Sequence, residues 1–167
     1  MKIFGLAGWS GAGKTTLMLK LIPALTSRGI SVSTIKHAHH NFDVDRPGKD
    51  SFEHRHAGAS EVMISSNNRW ALMHELRDEA EPDLNDLITH MTPVDLLLVE
   101  GFKFDPIPKL EVYRPSNGKD LLATKDPHIV AVASDETLQG LPDHCTSLDL
   151  NDTNAIVDFI LTQTSLK

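Results

Sequence analysis

The sequence predicts an α/β protein: a mostly parallel β-sheet flanked by helices, with an extra β-hairpin or edge strands. Three observations carry that expectation. Strand-like segments alternate with helical ones along the chain. Residues 95–99 (DLLLV) and 129–133 (IVAVA) are apolar without alternation, as in strands covered on both faces. A glycine-rich stretch follows the first strand-like segment directly and opens a helical one. In such sheets ligands sit at the carboxyl ends of the strands.

Residues 2–7 (KIFGLA) read as the first strand. Residues 15–28 follow with helical spacing at Leu17, Leu21, Ile22 and Leu25. Pro23 predicts a kink or an early change of direction there, and Gly29 a stop. Residues 30–36 (ISVSTIK) alternate as a strand. Pro47-Gly48 reads as a turn, with Asp50 or Ser51 capping a short helix to His56. Residues 61–66 and 69–74 read as two strands joined by Asn67-Asn68. A helix is expected over 83–91, and 109–114 (KLEVYR) alternates as an edge strand would. Residues 146–150 read as a last short strand. A closing helix over 151–163 takes Asn151 or Asp152 as its cap.

The 167 residues match one domain, with a core large enough to stand without staples. Sixteen basic and 23 acidic residues leave a net charge of −7, which argues against bulk nucleic acid and anionic membranes as partners. A small anionic ligand held by a few placed donors stays open. The single cysteine, Cys145, excludes an internal disulfide and a cysteine zinc cage. No apolar run approaches the about 20 residues of a membrane-spanning helix. The expected location is the cytoplasm.

Gly8-Trp9-Ser10-Gly11-Ala12-Gly13-Lys14-Thr15 fits G-x-x-x-x-G-K-[ST], after a strand and before a helix. The chemistry needs that pattern. Glycines let the backbone curl so that successive N–H groups, from Gly8 and Ser10 through Ala12 and Gly13, point at phosphate oxygens. The helix N-terminus adds partial positive charge. Lys14 would reach the β- and γ-phosphates, Thr15 would bind Mg²⁺, and Thr16 would donate nearer the α-phosphate. The predicted fold is therefore that of the P-loop nucleoside triphosphate hydrolases.

The buried run ending in Val99-Glu100-Gly101-Phe102 places a carboxylate at a strand end, where a Mg²⁺ ligand or water-positioning group belongs. The segment from Lys36 to Ser51 holds His37, His39 and His40, with His54 and His56 beyond it. Two readings compete there. A zinc or nickel site would use His39, His40 and Asp43. A phosphate-facing loop would use Lys36, His37 and Lys49 as donors, with Asp45 and Asp50 contacting Mg²⁺ or water. The acidic run Glu75, Asp78, Glu79, Glu81, Asp83 and Asp86 reads as a solvated face.

Taken together, the phosphate loop Gly8–Thr16, Ile35-Lys36-His37, Pro47-Gly48-Lys49-Asp50-Ser51, Ala57-Gly58-Ala59 and Val99-Glu100-Gly101-Phe102-Lys103 resemble the molybdopterin-guanine dinucleotide biosynthesis protein B family. The resemblance covers about residues 3–135 and, more weakly, the tail. It implies a dimeric GTP-binding accessory protein with weak GTPase activity, one P-loop domain over 1–167. Such a protein assists the guanylyltransferase that joins GMP to molybdopterin. It carries over Gly11, Gly13, Lys14, Thr15 and Thr16 as phosphate and Mg²⁺ contacts, and Lys36, His37, Lys49, Asp50 and Glu100 beside them.

The usual guanine box, N/T-K-x-D, is absent; Thr124-Lys125-Asp126 misses it by one place and precedes the 129–133 strand. Asp135 follows that strand and is the candidate guanine acceptor, with an ordinary turn or cap as the competing reading. Two other functions stay open: a small-molecule kinase, and a metal-handling GTPase using the histidine segment. Six arginines without a close pair weigh against the kinase, whose lid needs several.

Overall fold

The computed structural model describes residues 1–38 and 42–167. Its strands are β1 Lys2–Ala7, β2 Val32–Lys36, β3 Glu61–Ser65, β4 Trp70–His74, β5 Leu96–Glu100, β6 Lys109–Tyr113, β7 Ile129–Ser134 and β8 Thr146–Asp149. Its helices are α1 Lys14–Thr26, α2 Asp50–His56, α3 Leu84–Thr89 and α4 Thr153–Thr164. The chain divides into two compact units, residues 1–37 with 91–167, and residues 38–90.

The first unit is a six-stranded sheet in the order β2-β5-β1-β6-β7-β8, parallel throughout. Alternate residues of its strands point to opposite faces. Phe4, Leu6, Leu96, Leu98, Leu110 and Val112 pack on one face against Leu17, Leu21 and Leu25 of α1 and Ile156, Val157 and Ile160 of α4. On the other face Ala7, Ile129 and Val132 meet Leu121, Leu122 and Ala123. Asp152 caps α4 by accepting from the Ala155 N–H at 2.9 Å.

Pro23 does not bring the early change of direction that it allows: α1 runs through it to Thr26. Its ring denies a hydrogen bond only to the carbonyl of Leu19, a residue on the exposed side of the helix. The strand over 109–114 is not an edge. β6 lies between β1 and β7. Its alternating charges are buried and satisfied: Lys109 Nζ sits 2.8 Å from Asp126 Oδ2, and Glu111 accepts from the N–H groups of Leu122 and Ala123. Burial, opposed by those two bonds, holds the Glu111 carboxyl above its ordinary pKa.

The second unit carries the antiparallel β3–β4 hairpin across Asn67-Asn68, as its sequence predicts, with Ser65 opposite Trp70. Arg55 organises it. The guanidinium donates to Asp43 at 2.9 Å, Asp45 at 2.6 Å and Glu75 at 2.8 Å. The acidic run is more than a solvated face. Glu75 holds Arg55, Glu79 holds His74, and Asp83 and Asp86 form the capping box of α3. α3, Leu84–Thr89, is shorter than predicted by one residue at its start, which that box fixes, and by two at its end, where His90 is the C-cap. Neither Asp50 nor Ser51 caps α2. Lys49 occupies the extended cap position after the Pro47-Gly48 turn, and Asp50 is the helix's first residue. Among the described residues no helix is long and apolar enough to cross a membrane.

Candidate functional site

The phosphate loop joins β1 to α1 at the carboxyl edge of the first unit's sheet. Its conformation follows from glycine. Gly8 has φ +136°, and a Cβ there would collide with the Val112 carbonyl of β6. Gly13, left-handed at the α1 cap, offers no capping side chain, and the first turn of α1 contains no acid. The N–H groups that open α1 therefore have no side-chain cap, which is what an anion site at a helix start requires.

Lys14 bends back over the loop, donating to the carbonyls of Gly8 at 2.8 Å and Trp9 at 3.0 Å. Its pKa is depressed, first by burial. Glu100 opposes that depression, whereas the like charges of Lys103 and Lys36 add to it. Thr15 and Thr16 are exposed beside it. The ammonium of Lys36 lies 3.9 Å from Glu100, which is 12% exposed at the end of β5. His37 donates its backbone N–H to the Glu100 carbonyl at 2.9 Å and sets its ring 5.3 Å from that of Phe102. Gly101 is required at this point: with φ +102°, a Cβ would come within 3.0 Å of His37 Cβ.

The structure thus brings the loop, Lys36, His37 and Glu100 to one edge of one unit. Lys49, Asp45 and Asp50 belong to the other unit. Lys49 and Asp50 are exposed, and Asp45 accepts from Arg55 through both oxygens. The Arg55 bonds, foremost, hold the Asp45 carboxyl below its ordinary pKa. Of the proposed zinc or nickel ligands, His39 and His40 lie outside the described residues, and Asp43 is paired with Arg55. Among the described residues no group of three His, Cys, Asp or Glu side chains is placed to hold a metal. A hollow of about 720 Å³ among Phe42, Val44, Leu72 and Arg55 belongs to the second unit, and its described lining includes no phosphate-loop residue.

Two cations at the loop were missed in the sequence. Lys103 sets its ammonium 5.0 Å from the centre of the Trp9 ring. Its place in Val99–Lys103, three residues past Glu100, was the available signal. Arg114, directly after β6, donates from Nε to the Ala12 carbonyl at 3.1 Å and pairs with Asp135 through Nη1. Trp9 is fastened in turn by its indole N–H, which donates to the Asp120 carbonyl at 2.8 Å. Residues 115–127, outside the segments that carry the family resemblance, include two 3-10 turns and their links, which reach the loop through Asp120. The near-miss box is structural: Asp126 neutralises Lys109 and accepts from the His128 N–H. Cys145 donates its thiol to the Ile129 carbonyl at 3.0 Å, and burial, with the Glu111 charge, pushes its pKa up, away from the reactive thiolate.

The sequence profile of the family described as "Molybdopterin guanine dinucleotide synthesis protein B" matches residues 3–135. A molybdopterin-guanine dinucleotide biosynthesis adapter protein of Escherichia coli K12 is 47% identical over 164 residues, covering 95% of this chain and 91% of that one. A namesake from Haemophilus influenzae is 44% identical over 158 residues, covering 95% and 86%. The crystal structure of a molybdopterin-guanine biosynthesis protein B superposes with a TM-score of 0.74 at 26% identity, over 98% of this chain and 99% of that one. The Bacillus subtilis MobB structure, at 22% identity and a TM-score of 0.75, shares the fold. The chain has the P-loop nucleoside triphosphate hydrolase fold and belongs to the molybdopterin guanine dinucleotide synthesis protein B family.

Proposed function

We propose that this chain is a cytoplasmic GTP-binding accessory protein of molybdopterin guanine dinucleotide synthesis, with weak GTPase activity and a guanylyltransferase as its partner. The observation that carries the reading is the phosphate loop itself. Its helix start has no side-chain cap, and Lys14 is poised over it. The adapter names of relatives at 44% and 47% identity supply the pathway.

In this reading the loop N–H groups and Lys14 bind the β- and γ-phosphates. Mg²⁺ fits the residues present: the Thr15 hydroxyl is exposed at the start of α1, and Glu100 is a mostly buried carboxylate at the adjoining strand end. The ion would neutralise charge on the phosphates. Glu100 holds a water through its carboxylate, and Lys36 and Lys103 face the developing negative charge. Asp135 accepts from guanine's N1–H and amino group.

Dimerisation belongs to the same proposal. Met63, Trp70 and Leu72 share one face of the β3–β4 hairpin and are exposed, a patch suited to a second copy of the chain. The test of the whole reading is a titration of a fluorescent GTP analogue against the matching ATP analogue, with and without the guanylyltransferase. Tighter GTP binding, and co-elution with the transferase, support it. Equal binding of both nucleotides, or no association with the transferase, refutes it.

A further inference from the structure

We infer that Arg114 is a positioning residue for purine selection: it orients Asp135 as the acceptor that distinguishes guanine, and ties that acceptor to the phosphate loop. The inference rests on the nucleotide-binding reading above and adds a residue and a subsite to it.

The geometry begins with connectivity. β6 is the neighbour of β1 on the side of β7 and β8, so the carboxyl ends of β6, β7 and β8 lie in sequence beside the phosphate loop. Arg114 follows β6, Asp135 follows β7, and Asn151 follows β8 by two residues. One guanidinium bridges two of these points. Its Nε donates to Ala12 in the loop, and its Nη1 to Asp135. It passes so close to Gly13 that a Cβ there would lie 3.7 Å from Nε and Nη2. A planar fork makes both bonds at fixed angles; a lysine ammonium cannot.

Two hollows open on either side of this bridge. One, about 280 Å³, is lined by Ser134, Asp135, Asp149 and Asn151 at the ends of β7 and β8. It is close to the lower size of a small-molecule site. The other, small and lined by Thr16, Lys20, Arg114 and Asn151, lies beside the start of α1. Asn151 lines both, so the two hollows are neighbours that share one wall residue. A nucleotide with its phosphates on Gly13–Thr16 would direct its base past Asn151 toward the larger hollow.

The acceptor is in surplus at the right place. Arg114 uses Asp135 Oδ2, whereas Asp135 Oδ1 is buried and has no hydrogen-bond partner among the described residues. A buried acceptor without a donor is costly, and a donor-bearing ligand relieves it. Guanine offers N1–H and the 2-amino group on one edge. Hypoxanthine lacks the amino group, and adenine turns an acceptor toward the carboxylate. A site built on hydrogen bonds rejects the analogue that lacks the donor.

The test is equilibrium binding of GDP, IDP, ADP and XDP to the full chain and to Arg114→Ala, Arg114→Lys and Asp135→Asn. The wild type should prefer GDP to IDP by about tenfold, the value of one charge-assisted bond. R114A should bring that ratio to near one. R114K, which keeps a charge but not the fork, should keep more affinity for all the diphosphates than R114A while still losing most of the ratio; it also serves if R114A fails to fold. D135N should lose GDP and gain XDP, whose 2-oxo group accepts from the new amide. A uniform loss of GDP, IDP and ADP in the Arg114 variants would make Arg114 a loop brace only and overturn the inference. So would a wild type indifferent between GDP and IDP. Failure of the wild type to bind any of the four overturns the nucleotide reading and the inference with it.

Discussion

Lys36 and Glu100 are register partners on neighbouring parallel strands, and their charges meet 3.9 Å apart at the carboxyl edge of the sheet. The pair sits where Lys14 feels both charges, one raising and one lowering its pKa. It sets a carboxylate and an ammonium side by side on two neighbouring strands of one sheet.

Glu100→Gln keeps the shape and removes the charge. Mg²⁺-dependent GTP hydrolysis should fall by about 10²-fold, within the range for loss of a positioned acid–base group. Nucleotide binding without Mg²⁺ should stay as in the wild type. Single-turnover phosphate release, paired with a titration in EDTA, separates the two. Unchanged hydrolysis would remove Glu100 from the site.

Lys14→Ala removes a charge-assisted contact of about 1.5–3 kcal/mol, so affinity for a fluorescent GTP analogue should fall roughly ten- to a hundredfold. The fold should survive, because the ammonium contacts only loop carbonyls, at Gly8 and Trp9. Circular dichroism checks the fold, and equal affinity in a folded variant refutes the assignment.

Lys109 is 1% exposed, and its partner Asp126 is 11% exposed. Truncating one member of such a pair leaves a buried charge alone. Lys109→Ala should therefore destabilise the first unit by about 3–5 kcal/mol. Lys109→Met with Asp126→Asn should recover much of the loss. Urea unfolding measures both, and a single variant as stable as the wild type would contradict the packing described for β6.

His74 donates toward Glu61 at 2.8 Å and Glu79 at 3.1 Å, and these bonds, Glu61 first, raise its pKa above the usual 6.5. The sign follows: the hairpin gains this stabilisation fully below pH 6.5 and loses it as pH rises through the higher folded value. Imidazole NMR shifts should titrate above 6.5, and Glu61→Gln should move the midpoint down. A midpoint at or below 6.5 in the wild type would contradict the contact.

The phosphate loop was legible because everything it needs is local: a strand, eight residues and a helix start. The buried strands β5 and β7 were legible for the same reason, each a continuous apolar run. β6 was misplaced because Lys109 and Glu111 imitate a half-wet strand. Their partners, Asp126 and the N–H groups of Leu122 and Ala123, lie 11 to 17 residues on, and no period records them. Pro23 was overweighted because propensity ignores tertiary packing, and Leu17, Leu21 and Leu25 hold α1 in the core on either side of it. Asp135 was legible as an acid after a strand. Arg114 was not, since its meaning comes from two partners, at Ala12 and Asp135, that only the sheet order brings to it.

In the function proposed, this chain binds GTP as an accessory protein and is a poor hydrolase by itself. Lys14 has Lys36 and Lys103 within electrostatic reach, and Arg114, which contacts the loop at Ala12, is also paired with Asp135. The direct measurement is steady-state phosphate release from the purified protein with saturating GTP and Mg²⁺, alone and with the guanylyltransferase. The account predicts turnover well below about 1 s⁻¹ for the protein alone, beneath the range of ordinary enzymes. Turnover of tens per second without the partner, on the order of a median enzyme or faster, would contradict it.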